Sequence, residues 1–149
     1  MSDTQAKALE VAHRSAHAMW LADHAAHALG MELVETGSGS AVLAMRVQSS
    51  MVNGHGLCHG GLIFALADTA FAYACNSFNR RAVAAGASID FLSPAYLGDR
   101  LYARATLHHQ GERSGIYDVK VENQAGRLIA LFRGRARRIA GKLFDDADA

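Results

Sequence analysis

The sequence predicts an α+β domain in which one long apolar helix is enclosed by a single antiparallel sheet, with an extra helix at the N-terminus. Two observations carry this. Residues 60–78 are apolar on nearly every side, and a helix without a wide polar face is a buried one. Beyond it the pattern changes to period two. Tyr102, Arg104, Thr106 and His108 alternate with Leu101, Ala103, Ala105 and Leu107; Tyr117, Val119 and Val121 alternate with Asp118, Lys120 and Glu122. Such alternation describes half-buried antiparallel strands with one wetted face. Packing a helix on a sheet hides the apolar faces of both.

The elements follow in order. Residues 4–29 are rich in Ala and read as one helix, with Gly30 as its stop. Met31 to Glu35 and Ala41 to Val47 are short β-like runs joined by Gly37-Ser38-Gly39-Ser40, a hairpin signal. Residues 49–58 contain Asn53-Gly54-His55-Gly56 and form a loop. The buried helix then runs from Gly60 to about Phe78, and about four strands follow. Gly111 to Gly115 and Gln124 to Gly126 mark turns, and Leu128 to Ile139 is the last strand. Residues 141–149 are polar and are expected to fray. With one proline, Pro94, and no linker or repeat, residues 1–149 read as a single domain.

Composition excludes several functions. The 149 residues suit one domain, and a chain of that size can bury about two thirds of its unfolded surface. Hydrophobic residues make up 50% and charged residues 19%, so the chain is globular rather than disordered. A net charge of +1 argues against nucleic acid as a partner. The longest apolar region, residues 56–78, is interrupted by His59, Asp68 and Asn76 and does not read as a membrane span. The first residues lack the layout of a signal peptide. Cys58 and Cys75 do not make a disulfide framework. The cytoplasm is the expected compartment.

Asp68 is the informative residue, a carboxylate in the middle of Leu66-Ala67-Asp68-Thr69-Ala70-Phe71. Burying it requires a partner or a raised pKa. Structural ion pairing would satisfy that need, but a second signal sits at the helix start, His59-Gly60-Gly61. First-turn N–H groups have no intrahelical partner and favour negative charge. Glycine lets a ligand approach them. Donors of that kind stabilise the oxyanion of acyl transfer; two glycines also make a plain tight turn. Gly60 and Asp68 are eight residues apart, roughly 12 Å along a helix. Reacting groups must approach to about 3 Å, so if both act together they come from two chains. Antiparallel helices across a two-fold axis would pair them twice, in an obligate homodimer with two shared sites.

The run from Asn53 to Gly61, continued by Leu66 to Ser77, strongly resembles hotdog-fold acyl-CoA thioesterases, most closely the phenylacetic-acid-degradation (PaaI) family. The resemblance extends through Ile89-Asp90-Phe91-Leu92-Ser93-Pro94, His109-Gln110-Gly111 and Ala130-Leu131-Phe132-Arg133-Gly134. It covers about His17 to Gly141. It implies the hotdog fold, a long helix wrapped by a curved sheet. It also implies hydrolysis of an aryl-acetyl-CoA, of phenylacetyl or hydroxyphenylacetyl type, to free acid and coenzyme A without cofactor or metal. Asp68 would act as general base on water or as nucleophile at the thioester carbon. The Gly60 backbone N–H would polarise the carbonyl. His59 would support that loop or the leaving sulfur, and Asn53 would position water or carbonyl. Family sites lie at dimer interfaces, and members are commonly homotetramers built as dimers of dimers.

Other residues carry two readings each. Thr69, beside Asp68, and Ser88, in the strand after the helix, are helper hydroxyls or ordinary packing. Arg133, Arg135 and Arg137, with Arg138 beside them, alternate along the last strand. They read as an anchor for coenzyme A phosphates or as a solvated strand face; Arg80 and Arg81 are a second possible anchor. His13, His17, His24 and His27 form one helical stripe. His13 and His17 resemble half a zinc site, but nothing in the sequence completes it, and a solvated or interface stripe is expected. Cys58 and His59 are poorly placed as a dyad, and Cys75 reads as core; Phe64, Phe71 and Tyr73 read as core or, for one or two of them, as the lining of an acyl pocket. The rival functions are a hotdog enoyl-CoA hydratase or acyl-carrier-protein dehydratase, and a non-catalytic acyl-CoA-binding protein.

Overall fold

The computed structural model describes residues 1–146. The chain forms α1 (Asp3–Ala22), α2 (His24–Ala28), β1 (Glu32–Gly37), β2 (Ser40–Arg46), a 3-10 turn at Ser49–Met51, and α3 (Gly60–Cys75). Then come β3 (Ala82–Phe91), β4 (Arg100–Gln110), β5 (Ser114–Glu122) and β6 (Leu128–Arg138). The strands make one antiparallel sheet in the order β1-β2-β4-β5-β6-β3. The sheet wraps α3, which is the predicted α+β, hotdog-type arrangement. Among the described residues, no helix is long and apolar enough to cross a membrane.

Period two sets the two faces of the sheet. Along β6, Ala130, Phe132 and Ala136 are buried while Leu131, Arg133, Arg135 and Arg137 are exposed. Tyr117, Val119 and Val121 of β5 point inward with them. Against these residues lies the Phe71 ring of α3, 5.7 Å from the Tyr117 ring and 5.8 Å from that of Phe132.

Three boundaries differ from the sequence reading. The first helix is not continuous to Leu29, because Asp23 leaves helical geometry (φ −85°, ψ 74°). Its Oδ1 accepts from Ala26 N (3.1 Å) and caps α2, and its Oδ2 accepts from the Tyr73 hydroxyl (3.1 Å). A short side chain that satisfies the backbone competes with helix continuation. Secondly, α3 ends at Cys75, not Phe78. Asn76 Nδ2 donates to the Ala72 and Ala82 carbonyls, and its Oδ1 accepts from Ala82 N, which turns the chain into β3.

Thirdly, residues 141–146 are docked where fraying was expected. Asn79, at φ 55°, accepts through Oδ1 from Leu143 N and Phe144 N and donates through Nδ2 to the Phe144 carbonyl and Asp146. The Arg14 guanidinium lies 4.2 Å from the Phe144 ring centre. These contacts are long-range in sequence, so local composition does not reveal them. Residues 147–149, in the same expectation, lie outside the described residues.

Strand β3 lies at one edge of the sheet, paired on one side with β6. Its residues 83–88 are exposed and carry no charged side chain. Open strand edges are normally guarded by charge or proline; residues 83–88 carry neither, and the strand's one charged residue, Asp90, lies near its end.

Candidate active site

The start of α3 is built by local capping. His59 is extended (φ −62°, ψ 132°), and its Nδ1 accepts from Gly61 N at 3.3 Å. Its carbonyl accepts from Leu62 N and Ile63 N. The Gly60 amide has no hydrogen-bond partner among the described residues. It is therefore the open donor of the first turn, where the helix field favours negative charge.

The loop before the helix is tied together by hydrogen bonds. Asn53 Oδ1 accepts from His55 N (2.9 Å) and Leu57 N (3.2 Å). The backbones of Asn53 and Leu57 also pair, N to O at 2.7 Å. His59 N donates to the Met51 carbonyl and Cys58 N to the Ala95 carbonyl, both at 2.8 Å. Between this loop and the end of β3 opens a cleft of about 470 Å³, lined by Asn53, Leu57, Gly60, Ile63, Phe91 and Leu92 among others. A Cβ on Gly60 would stand 3.0 Å from Phe91 Cζ. A side chain at position 60 would require that ring to give way slightly.

Asp68 is elsewhere. It is half-buried on α3, eight residues beyond Gly60, hence roughly 12 Å along the axis. Among the described residues it makes no hydrogen bond or ion pair, and burial holds its carboxyl above the ordinary value of 3.8. So the structure gathers Asn53, His59 and Gly60 at one end of α3 and leaves Asp68 apart within the chain.

Neither expected helper hydroxyl serves Asp68 in this geometry. Thr69 Oγ1 donates to the Ala65 carbonyl at 2.7 Å, the back-bond common for a mid-helix threonine. Ser88 pairs across the sheet with Arg133, on the face turned away from α3. Ala87 and Ile89, opposite Gly134 and Phe132, take the inward positions. A strand alternates faces residue by residue, so a register error of one exchanges them.

The arginines share that outer face. Arg133 grips Asp118 through Nε–Oδ1 (2.7 Å) and Nη2–Oδ2 (2.9 Å), which holds the Asp118 carboxyl below its usual value. His108 Nδ1 is 3.4 Å from the same carboxylate. Arg135 donates to the Ala85 carbonyl at 3.3 Å. Arg137 points outward as well, and Arg80 is exposed beyond the far end of α3. None of the four lines the Gly60 cleft of its own chain.

The remaining candidates fall into place. Burial pushes the Cys58 thiol up and that of Cys75 up to about 12, so neither is a thiolate at neutral pH. The break at Asp23 removes His24 and His27 from the α1 stripe. His27 folds back on Trp20, with ring centres 4.3 Å apart and Nε2 2.8 Å from the Trp20 carbonyl. Among the described residues, no three His, Cys, Asp or Glu side chains converge as metal ligands. Phe71 and Tyr73 are core, and Phe64 is half-buried, edge-on to Phe132 at 5.3 Å. Sequence reasoning missed Phe91 and Leu92 as cleft walls. Their only sequence signal was an apolar strand end running into Pro94.

Residues 55–130, which include the open Gly60 amide and Asp68, match the thioesterase superfamily. The chain belongs to that superfamily. This thioesterase is 48% identical over 136 residues to the acyl-coenzyme A thioesterase PaaI of Escherichia coli (strain K12), covering 91% of this chain and 97% of the relative. The solved PaaI protein of the E. coli phenylacetic acid degradation operon superposes with a TM-score of 0.88 at 49% identity, over 89% of this chain and 96% of that one. A Streptococcus mutans UA159 protein solved with acetyl CoA bound superposes with a TM-score of 0.72 at 28% identity, over 75% and 90% of the two chains. The thioesterase is a thioester hydrolase with the hotdog fold, an acyl-CoA thioesterase of the PaaI type.

Proposed function

We propose that this thioesterase hydrolyses aryl-acetyl-CoA thioesters, of the phenylacetyl or hydroxyphenylacetyl type, at two sites shared across an obligate homodimer. In each site the thioester carbonyl accepts from the Gly60 N–H of one protomer, with Asn53 of the same loop orienting the reactants. Asp68 of the other protomer takes the proton of the attacking water, or itself attacks the carbonyl carbon. The tetrahedral oxyanion collapses and expels the coenzyme A thiolate. Where Asp68 attacks directly, this collapse leaves an acyl–Asp68 anhydride, which water then hydrolyses to release the acid and regenerate the carboxylate; on either route one water is consumed and the products are the free acid and coenzyme A thiol. A raised carboxyl pKa suits a base that must hold and return a proton near neutral pH.

One observation carries this reading. The open Gly60 donor and the unpartnered Asp68 carboxyl lie about two turns apart on one helix. Two α3 helices packed antiparallel would bring each to the other's partner. The exposed, uncharged stretch 83–88 on the edge of β3 supports such pairing. Coenzyme A phosphates would be held by Arg80, Arg133, Arg135 or Arg137 of a neighbouring subunit in a homotetramer, since none of these lines the cleft of its own chain. The structure of the S. mutans relative with acetyl CoA fits coenzyme A thioesters as ligands.

The test is thiol release from a panel of acyl-CoAs by reassembled mixtures of two variants, Asp68→Asn and Gly60→Pro; the second removes the N–H at the first helical position, where the backbone suits proline, but its ring displaces the edge of Phe91 slightly, so folding and assembly of each variant are checked before mixing. Each alone is inactive if both groups act. With a shared site, mixing restores about a quarter of native activity, because half the dimers are mixed and each holds one intact site of two. No restoration overturns the shared site. Native release that is no faster from phenylacetyl-type than from straight-chain thioesters overturns the substrate assignment.

A further inference from the structure

We propose that Phe91 selects the acyl group: its ring is the wall against which an aryl acyl chain lies once its carbonyl is held by Gly60. The inference rests on the reading of Gly60 as the carbonyl-binding donor. Phe91 is the last residue of β3, opposite Ala130, and so belongs to the sheet face turned toward α3. Its ring lies directly over the start of that helix. Cζ, Cε1 and Cε2 stand 3.0, 3.3 and 3.5 Å from where a Cβ on Gly60 would be. Yet 53% of Phe91 is exposed, so one part of the ring covers the helix start and the rest faces the cleft.

The backbone that carries the ring is tied down. Immediately after it, Leu92 N and Ser93 N both donate to the Ile129 carbonyl, at 2.8 and 3.2 Å. Two residues further on, the Ala95 carbonyl accepts from Cys58 N at 2.8 Å. The loop carrying Gly60 and the strand end carrying Phe91 are therefore tied into one frame. Leu57, Ile63 and Leu92 complete apolar walls around the opening.

Geometry then limits where the acyl group goes. A carbonyl oxygen bound by Gly60 sits about 3 Å from its nitrogen. The acyl α-carbon is two bonds from that oxygen, which brings the group beyond it within reach of a ring whose edge lies 3.0 Å from where a Cβ on Gly60 would be. An aryl group there gains offset or edge-to-face contact with Phe91, whereas a straight alkyl chain gains only burial. The ring would thus favour flat acyl groups without touching the chemistry at the carbonyl.

The experiment compares kcat/KM for phenylacetyl-CoA and hexanoyl-CoA in the native chain, Phe91→Leu and Phe91→Tyr, with melting temperature and sedimentation measured on each. The expected result is a three- to tenfold fall for phenylacetyl-CoA in Phe91→Leu, carried by KM, with little change for hexanoyl-CoA; Phe91→Tyr should restore the native ratio. An equal fall for both substrates would mean that Phe91 only supports the helix start or the assembly, and overturns the proposal. Should Phe91→Leu fail to fold, Phe91→Met is read by the same ratio. If the native chain prefers hexanoyl-CoA, the aryl-acetyl reading fails by itself. Phe91 as selector then stands if the ratio still shifts on substitution and falls if it does not.

Discussion

The Phe71 ring occupies the space that a side chain at Gly134 would need. A Cβ there would lie 2.8 Å from both Cε2 and Cζ of the ring. Phe71 is 1% exposed and stands one turn beyond Asp68 on α3, so this contact sets how deeply the central helix sits in the sheet. Gly134→Ala should therefore destabilise the fold by about 1–3 kcal/mol through overpacking. Chemical denaturation reads the loss directly, and a variant as stable as the native chain would show that α3 can shift at no cost.

Asp68 couples stability and activity to pH. Burial raises its carboxyl in the folded state above the ordinary value of 3.8, so the folded protein binds the proton more tightly than the unfolded chain. The resulting penalty is absent below that ordinary value, grows as pH rises through the raised folded value, and is constant above it. Asp68→Asn should be more stable than the native chain at neutral pH, with the difference vanishing in acid. Activity should run the other way. A base must be ionised, so the acid limb of the rate profile should lie above the ordinary carboxylate range, and Asp68→Asn should lose at least about a hundredfold in kcat.

Asn53 has two functions that substitution can separate. Its Oδ1 holds the loop by accepting from His55 N and Leu57 N, while its Nδ2 is the group available to a substrate or water. Asn53→Asp keeps the acceptors and removes the donor. If the donor acts in catalysis, this variant should melt like the native chain and lose about tenfold or more in kcat. Asn53→Ala should lose both activity and loop order, the second visible as faster amide exchange at His55 and Leu57.

The arginines differ in what they have left to offer. Arg133 already spends two donors on Asp118, whereas Arg137 and Arg80 have no hydrogen-bond or ion-pair partner among the described residues. Of the proposed phosphate anchors, Arg137→Ala and Arg80→Ala should raise KM for acyl-CoA more than Arg133→Ala does, by about five- to tenfold. Thioesters of N-acetylcysteamine lack those phosphates and should be cleaved equally by all variants. An equal rise in KM with both kinds of thioester would place these residues in assembly rather than in coenzyme A binding.

Much of the fold was legible because burial imposes a period. The apolar run after Gly60 had no face to give to water, and the alternation at 101–108 and 117–122 could satisfy only a one-sided sheet; both elements stand where that pattern put them. The boundaries that slipped, at Asp23, Asn76 and residues 141–146, each depend on a side chain meeting a backbone group through folding. In the last case the partners are 64 to 67 residues apart. Of the candidate site, Gly60 stood out by its place at the helix start and its spacing to Asp68, whereas the roles of His59 and Asn53 came from the family resemblance. Ser88 was placed by resemblance to a strand whose register was unknown, and register decides which face a hydroxyl occupies.

The sequence by itself determined the fold class, the helix start with its glycine amide, and the isolated carboxylate eight residues further on. Each of these is local: a period, a cap, or a charge out of place within one element. Only the tertiary structure decided that the Gly60 amide stays open, that the arginines face away from the cleft, and that Phe91 closes over the helix start. Those are relations between elements distant in the chain, and they exist only when the sheet has wrapped α3 and aligned its strands.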